Sequence, residues 1–160
     1  VIGSSSSVIP KFIEQIKNKK SVTITDPKMT RFSITMDEAL DFILNATKIG
    51  QGSEIFVPKM KAYTITSVKD ALFELLENTG EKITGIREGE KLDEVLISND
   101  EMRFCWELDD MYVIHSSINK NYYENAGNLK KIESMDSYSS AGATKLSNNE
   151  LKKIIENYCL

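Results

Sequence analysis

The sequence is poor in the residues that metal and thiol chemistry need. Among its 160 residues are two cysteines, Cys105 and Cys159, and one histidine, His115. With no Cys-x-x-Cys pair and no second histidine, a structural zinc site and a disulfide framework are both excluded, so no metal is expected and a reducing cytoplasm is the expected compartment. A Cys105/His115 nucleophile pair would need adjacent strands, and neither residue has recognisable flanking chemistry; a buried thiol and a strand histidine are expected instead. Long apolar runs are missing too, which excludes membrane contact through a span, and the N-terminus lacks a basic-then-apolar signal pattern. Positive charge is in deficit, with 20 Lys and Arg against 24 Asp and Glu, a net charge of -4 and a pI near 5.2. Nucleic acid is therefore not an expected partner. Arginine is scarcest of the cations: Arg31, Arg87 and Arg103 stand against 17 lysines. Its planar fork suits bidentate binding of phosphate or carboxylate, so few arginines among many lysines point to geometry. What is present, 41% hydrophobic and 28% charged residues, is the composition of a globular protein the size of one domain. The chain begins at Val1 without a methionine, which suggests a piece of something longer.

Val8, Ile9, Phe12, Ile13 and Ile16 recur at helical spacing behind the low-complexity Gly3-Ser4-Ser5-Ser6-Ser7, which reads as a flexible tail or linker. Pro10 suits the first turn of that helix. Val22-Thr23-Ile24-Thr25 is β-like, and Asp26-Pro27 marks a turn. Thr35-Met36-Asp37-Glu38 is a capping box ahead of an apolar face of Met36, Ala39, Leu40, Ile43 and Leu44, so a helix is expected from about Met36 to Lys48. Strands are expected at 54–58 and 63–66, and a helix opening at Ser67 with Asp70. Further strands are expected at 82–86, 102–107 and 111–115. The polar stretch from Asn119 to Ser140 reads as irregular, and Ser147-Asn148-Asn149-Glu150 caps a last helix. Strands alternating with helices indicate the α/β class.

Three segments can converge on an anionic ligand. Small residues from Ser4 lead to Pro10 at a helix N-terminus, where free amides and the helix dipole favour phosphate. A turn at Thr25–Phe32 carries Arg31, and a strand end at Gly85–Leu92 delivers Arg87 and Glu90 three residues apart. Two arginines suit a pyrophosphate, and a carboxylate suits vicinal sugar hydroxyls. The competing reading makes Arg31 and Arg87 surface ion-pair partners of little worth.

Four motifs in order carry a resemblance: Gly3-Ser4 with Ser7-Val8-Ile9-Pro10, Ile24-Thr25-Asp26-Pro27-Lys28-Met29-Thr30-Arg31-Phe32, Gly52-Ser53-Glu54-Ile55-Phe56-Val57-Pro58-Lys59-Met60, and Gly85-Ile86-Arg87-Glu88-Gly89-Glu90-Lys91-Leu92-Asp93-Glu94. Together they resemble the polysaccharide-biosynthesis branch of the extended short-chain dehydrogenase/reductases, typified by inverting UDP-N-acetylglucosamine 4,6-dehydratases. The resemblance implies the C-terminal, substrate-binding lobe of that α/β fold, with the Rossmann half that binds NADP or NAD, and the catalytic Tyr-x-x-x-Lys, absent from these residues. Residues 1–118 are expected to form the nucleotide-sugar-binding lobe, and 119–160 an irregular segment and C-terminal helix of the same lobe. The resemblance places Ser5, Ser6, Ser7, Val8, Ile9 and Pro10 along the nucleotide-sugar site and Thr23 near the uridine. It sets Arg31 and Arg87 on the diphosphate and Glu90 on the ribose hydroxyls. It implies no catalytic residue here, a UDP-sugar substrate, the N-terminal half as partner, a homo-oligomer, and an apolar surface exposed toward that half, notably on the helix from Val8.

Departures from the family pattern keep other readings open. Ser5-Ser6 stands where Arg-Gly is usual, Ser33 where tryptophan is common, Glu88 where proline is usual, and Asp93 where histidine is usual. Ala141-Gly142-Ala143-Thr144-Lys145-Leu146 is similar to the surroundings of the catalytic pair. Tyr138, however, is seven residues from Lys145, where one helical turn is needed for the ammonium to lower the phenol's pKa. A UDP-sugar 4-epimerase or reductase of the same family, and a noncatalytic UDP-sugar-binding or interaction module, remain the alternatives to a dehydratase.

Overall fold

The computed structural model describes residues 1–4, 7–115, 129–132 and 134–160. Its elements in chain order are α1 (Val8–Lys17), β1 (Val22–Ile24), β2 (Thr30–Ser33), α2 (Met36–Ile49), β3 (Glu54–Pro58), β4 (Lys61–Thr64), α3 (Ile65–Leu75), β5 (Glu81–Ile83), β6 (Val95–Ile97), α4 (Asn99–Met102), β7 (Cys105–Leu108), β8 (Met111–His115), β9 (Lys130–Lys131), β10 (Tyr138–Ser139) and α5 (Asn148–Tyr158). Strands pair as β1 with β5 in parallel, β2 with β4 and β6 with β10 antiparallel, and β3-β8-β7-β9 as a four-stranded sheet. Half of the segment expected to be irregular from Asn119 to Ser140 lies outside the described residues; β9 and β10 fall within the other half.

Two cores hold these layers together. In the first, Ile9, Phe12, Ile13 and Ile16 of α1 meet Val22 and Ile24 of β1, Val68, Ala71 and Leu72 of α3, and Leu151 and Ile155 of α5. The 3.6-residue spacing of the α1 and α3 apolar positions puts each set on one face, and α3 packs against both α1 and α5. The second core gathers Val57, Ile97, Met102, Cys105, Tyr112 and Tyr138, with the Tyr138 ring centroid 4.9 Å from those of both Phe32 and Tyr112.

The structure corrects several sequence expectations. The opening is not a free tail over its described part: Ile2 is buried and its N–H donates to the Ile34 carbonyl. Gly3 has φ +79°, and a Cβ there would stand 2.7 Å from the Tyr158 carbonyl oxygen, so only glycine fits. The strand expected at 63–66 ends at Thr64, which caps α3 in a box with Ser67; Ser67 is inside the helix rather than its cap. Thr30–Ser33 is a strand although it reads as part of a turn, because its partner β4 lies thirty residues on. Met102 belongs to a short helix capped by Ser98 and Glu101, not to a strand.

Among the described helices an apolar face is left open on α2, not on the helix from Val8. α2 has its expected Thr35–Glu38 capping box yet buries no residue, and Met36, Leu40, Ile43 and Leu44 are all more than half exposed. Replacing Ile43 by glutamate is therefore expected to change stability by no more than about 0.5 kcal/mol in urea unfolding, as for other surface substitutions. A loss of several kcal/mol would show that the α2 stripe packs against this chain.

Candidate functional site

Among the helices, α2, α3, α4 and α5 each begin with a reciprocal capping box. α1 does not. Ser7 has the extended backbone of an N-cap, but its hydroxyl makes no capping bond. Pro10 sits at the third helical position, whose N–H would donate to a capping serine's oxygen, and proline has no N–H. The Ser7 Oγ is buried with no partner among the described residues. It lines a cavity of about 750 Å3 bounded by α1, by β1 and β2, and by the loop between β5 and β6.

Each wall is positioned by specific bonds. On the strand wall, the Gln15 side chain donates to Thr23 Oγ1 at 2.9 Å and accepts from the Thr23 N–H at 3.1 Å. Thr23 thereby keeps its own hydroxyl proton to donate. On the loop wall, Gly85 and Gly89 have φ +83° and +81°, which lets the chain turn back sharply. Across this turn, the Glu90 N–H donates to the Arg87 carbonyl at 3.1 Å, and the Arg87 N–H to Glu90 Oε2 at 3.2 Å.

A buried polar hub fastens the end of that loop. Thr30 Oγ1 lies 2.6 Å from both Asp93 Oδ1 and Ser140 Oγ. The Asp93 carboxylate can only accept, so the threonine's single proton goes there and the serine's turns toward Thr30. Ser140 Oγ also accepts from the Glu94 N–H at 2.8 Å, and Glu94 Oε2 accepts from the Phe32 N–H at 2.8 Å. The Arg31 guanidinium completes the fastening, donating to the carbonyls of Thr30, Leu92 and Lys91 at 2.7, 3.0 and 3.0 Å.

Of the residues singled out in the sequence, Ser7, Val8, Pro10, Thr23, Arg31, Arg87 and Glu90 all line this one cavity. Ile9 does not: its side chain is fully buried in the first core. Ser5 and Ser6 lie outside the described residues. Lys11, Tyr63 and Glu94 also line the cavity and were missed. Lys11 was legible, since it lies four residues after Ser7, one turn along the same helix face; Tyr63 and Glu94 arrive only through β-pairing and loop closure. Burial pushes the Tyr63 phenol up to about 12, with Glu94 adding to the shift and Arg31 opposing it. At neutral pH it is a hydrogen-bond donor and not a base.

The other residues weighed for chemistry lie away from this cavity. Cys105 and His115 are on the adjacent strands β7 and β8, but Cys105 is fully buried and burial pushes its thiol up to about 11, far from a nucleophile. Tyr138 and Lys145 are structural. The Tyr138 hydroxyl bonds the Met60 N–H and carbonyl at 2.6 and 3.1 Å, and Lys145 Nζ donates to the carbonyls of Ser140, Ala141 and Ala143. Among the described residues no cluster of His, Cys, Asp and Glu fits a metal, and no helix is long and apolar enough to cross a membrane.

Known proteins resemble the chain in sequence and in fold. The chain is 40% identical over 119 residues to a UDP-N-acetylglucosamine 4,6-dehydratase (inverting) of Campylobacter jejuni, covering 74% of this chain and 35% of that protein. It is 36% identical over 159 residues to a UDP-glucose 4-epimerase of Rickettsia massiliae, covering 97% of this chain and 46% of that one. The solved structure of Pen from Bacillus thuringiensis superposes with a TM-score of 0.81 at 33% identity, over 98% of this chain and 46% of Pen. The chain thus spans less than half the length of these relatives, and its α/β fold is that of part of an extended short-chain dehydrogenase/reductase. The model of the family described as polysaccharide biosynthesis protein matches residues 1–116, the same residues that build the cavity, and the chain belongs to that family.

Proposed function

We propose that residues 1–118, completed by 119–160, are the nucleotide-sugar-binding lobe of a UDP-sugar-modifying enzyme of polysaccharide biosynthesis, and that the whole enzyme is an NAD(P)-dependent UDP-N-acetylglucosamine 4,6-dehydratase. One observation carries the reading: the uncapped α1 N-terminus, with its orphaned Ser7 hydroxyl, opens on the same cavity as Arg87 and Glu90. Free helix amides and a guanidinium suit a diphosphate. The Glu90 carboxylate suits vicinal ribose hydroxyls, and Thr23 offers a donor for the base. Binding energy gathered on the nucleotide end orients a sugar at a distance from it. The relatives named for UDP-sugar dehydration and epimerisation support the substrate class.

A nicotinamide dinucleotide would supply the redox chemistry of such an enzyme, but the residues here do not fit one. No described strand passes through a glycine-rich turn into a helix N-terminus, and Gly85 and Gly89 sit on a loop that leads to no helix. The share of this chain is binding and orientation, and the cofactor is held by other residues.

Calorimetric titration of the folded protein with UDP tests the site. Binding is expected, weakened about tenfold or more by Arg87→Ala, the range for a hydrogen bond to a charged group. No heat with UDP from folded protein, or undiminished binding by Arg87→Ala, would overturn the assignment. A second reading, 4-epimerisation, draws on one observation: the epimerase relative aligns over 97% of the chain and the dehydratase over 74%. Product analysis of the whole enzyme separates a dehydrated 4-keto sugar from a C4 epimer.

A further inference from the structure

Tyr63 is the aromatic residue of β4 and lies directly opposite Arg31 in the β2–β4 ladder, so the two side chains share a face with their Cβ atoms about 5 Å apart. It is only 6% exposed, and it lines the cavity. Its hydroxyl makes no hydrogen bond with any described residue and, unlike Ser7 Oγ, is not sealed from the open space. A buried phenol ordinarily finds a partner for its O–H. Around Tyr63 the lining is apolar: Ile2, Met29 and Ile65 pack in the same core, and Phe32 follows Arg31 on β2. Thr23, Ser7, Arg87 and Glu90 belong to other elements, namely β1, the start of α1 and the loop between β5 and β6. The motif at Gly52–Met60 stops three residues short of Tyr63, so no sequence signature marks it.

Resting on the UDP-sugar reading above, we infer that the Tyr63 hydroxyl donates to the carbonyl oxygen of an acetamido group on the hexose, which makes Tyr63 a specificity-determining residue that favours UDP-N-acetylglucosamine over UDP-glucose. That reading gives the base to Thr23, the ribose to Glu90 and the diphosphate to the arginines. The hexose is left without a partner. Tyr63 stands beside Arg31 on a strand that none of those contacts uses, next to the diphosphate and to what is attached to it. An acetamido group has one strong acceptor and one methyl, which match a lone phenol donor set in an apolar wall of Ile2, Met29, Phe32 and Ile65. A 2-hydroxyl in the same place brings a donor that this wall cannot satisfy.

The test titrates the folded protein and its Tyr63→Phe variant with UDP, UDP-glucose and UDP-N-acetylglucosamine, with the fold followed by circular dichroism. The wild type is expected to bind UDP-N-acetylglucosamine about three- to tenfold more tightly than UDP-glucose, the range for one neutral hydrogen bond. Tyr63→Phe is expected to weaken UDP-N-acetylglucosamine by that factor, leave UDP and UDP-glucose unchanged, and so close the gap between the two sugars. A purely structural loss would weaken all three ligands alike and leave the ratio where it was. If the wild type binds no UDP, the underlying reading falls and this one with it. If it binds UDP and the variant keeps the wild-type ratio, the assignment of Tyr63 is overturned while the nucleotide site stands. A wild type that binds both sugar nucleotides equally overturns the assignment without any variant, so the test does not hang on how well Tyr63→Phe folds.

Discussion

Replacing Phe12 by alanine is expected to destabilise the protein by about 3–5 kcal/mol, the cost of truncating a well-buried aromatic in a core that cannot collapse around the gap. Phe12 is 1% exposed and stands among Ile9, Ile16, Val68 and Leu72. α1, α3 and β1 all press on that core, so no single element can move to fill the space without opening another contact. Phe12 also borders the cavity, so on the proposed function the variant should lose UDP binding even where enough folded protein remains. Urea unfolding of Phe12→Ala and Phe12→Leu reads the effect, the leucine variant keeping most of the volume and losing much less. A Phe12→Ala midpoint close to the wild type would mean that α1 does not close this core.

Ser140→Ala is expected to cost about 1–3 kcal/mol although it removes one oxygen, because that oxygen is fully buried and bonds the Thr30 hydroxyl, the Thr30 carbonyl and the Glu94 N–H. The Glu94 N–H would be left with no acceptor there, and the Thr30 hydroxyl would lose the donor that frees its own proton for Asp93. Loosening the hub loosens the loop that aims Arg87 and Glu90, so UDP affinity should fall together with stability. Thr30→Ser keeps the hydroxyl and gives up one methyl, at about 0.8 kcal/mol. Equilibrium unfolding and UDP titration of both variants check the prediction. If Ser140→Ala unfolds within about 0.5 kcal/mol of wild type, the hub does not hold the loop.

Local signals carried much of the fold because they act within a turn or two of helix. The boxes at Thr35 and Ser147, the apolar spacing from Val8 to Ile16 and the strand at Glu54–Pro58 form as the residues dictate. Elements that depend on a distant partner were illegible. β2 exists because Lys61–Thr64 comes alongside it. The α2 stripe shows the reverse failure: its periodicity was read correctly and its burial was not, since a pattern states which residues share a face and not what covers it.

The amino-acid sequence by itself determined which segments carry the family's motifs, and that Arg31, Arg87 and Glu90 are the residues to follow. Only the tertiary structure decided where they stand and what holds them. It brought seven of the residues singled out to one cavity, turned Ile9 into the core, and added Lys11, Tyr63 and Glu94. The reason is that a motif sets composition over a few residues, whereas the partners of a guanidinium are set by where other chain segments place their carbonyls. Arg31 looks like Arg87 in sequence, and differs because residues 91–94 fold back onto β2 and occupy it.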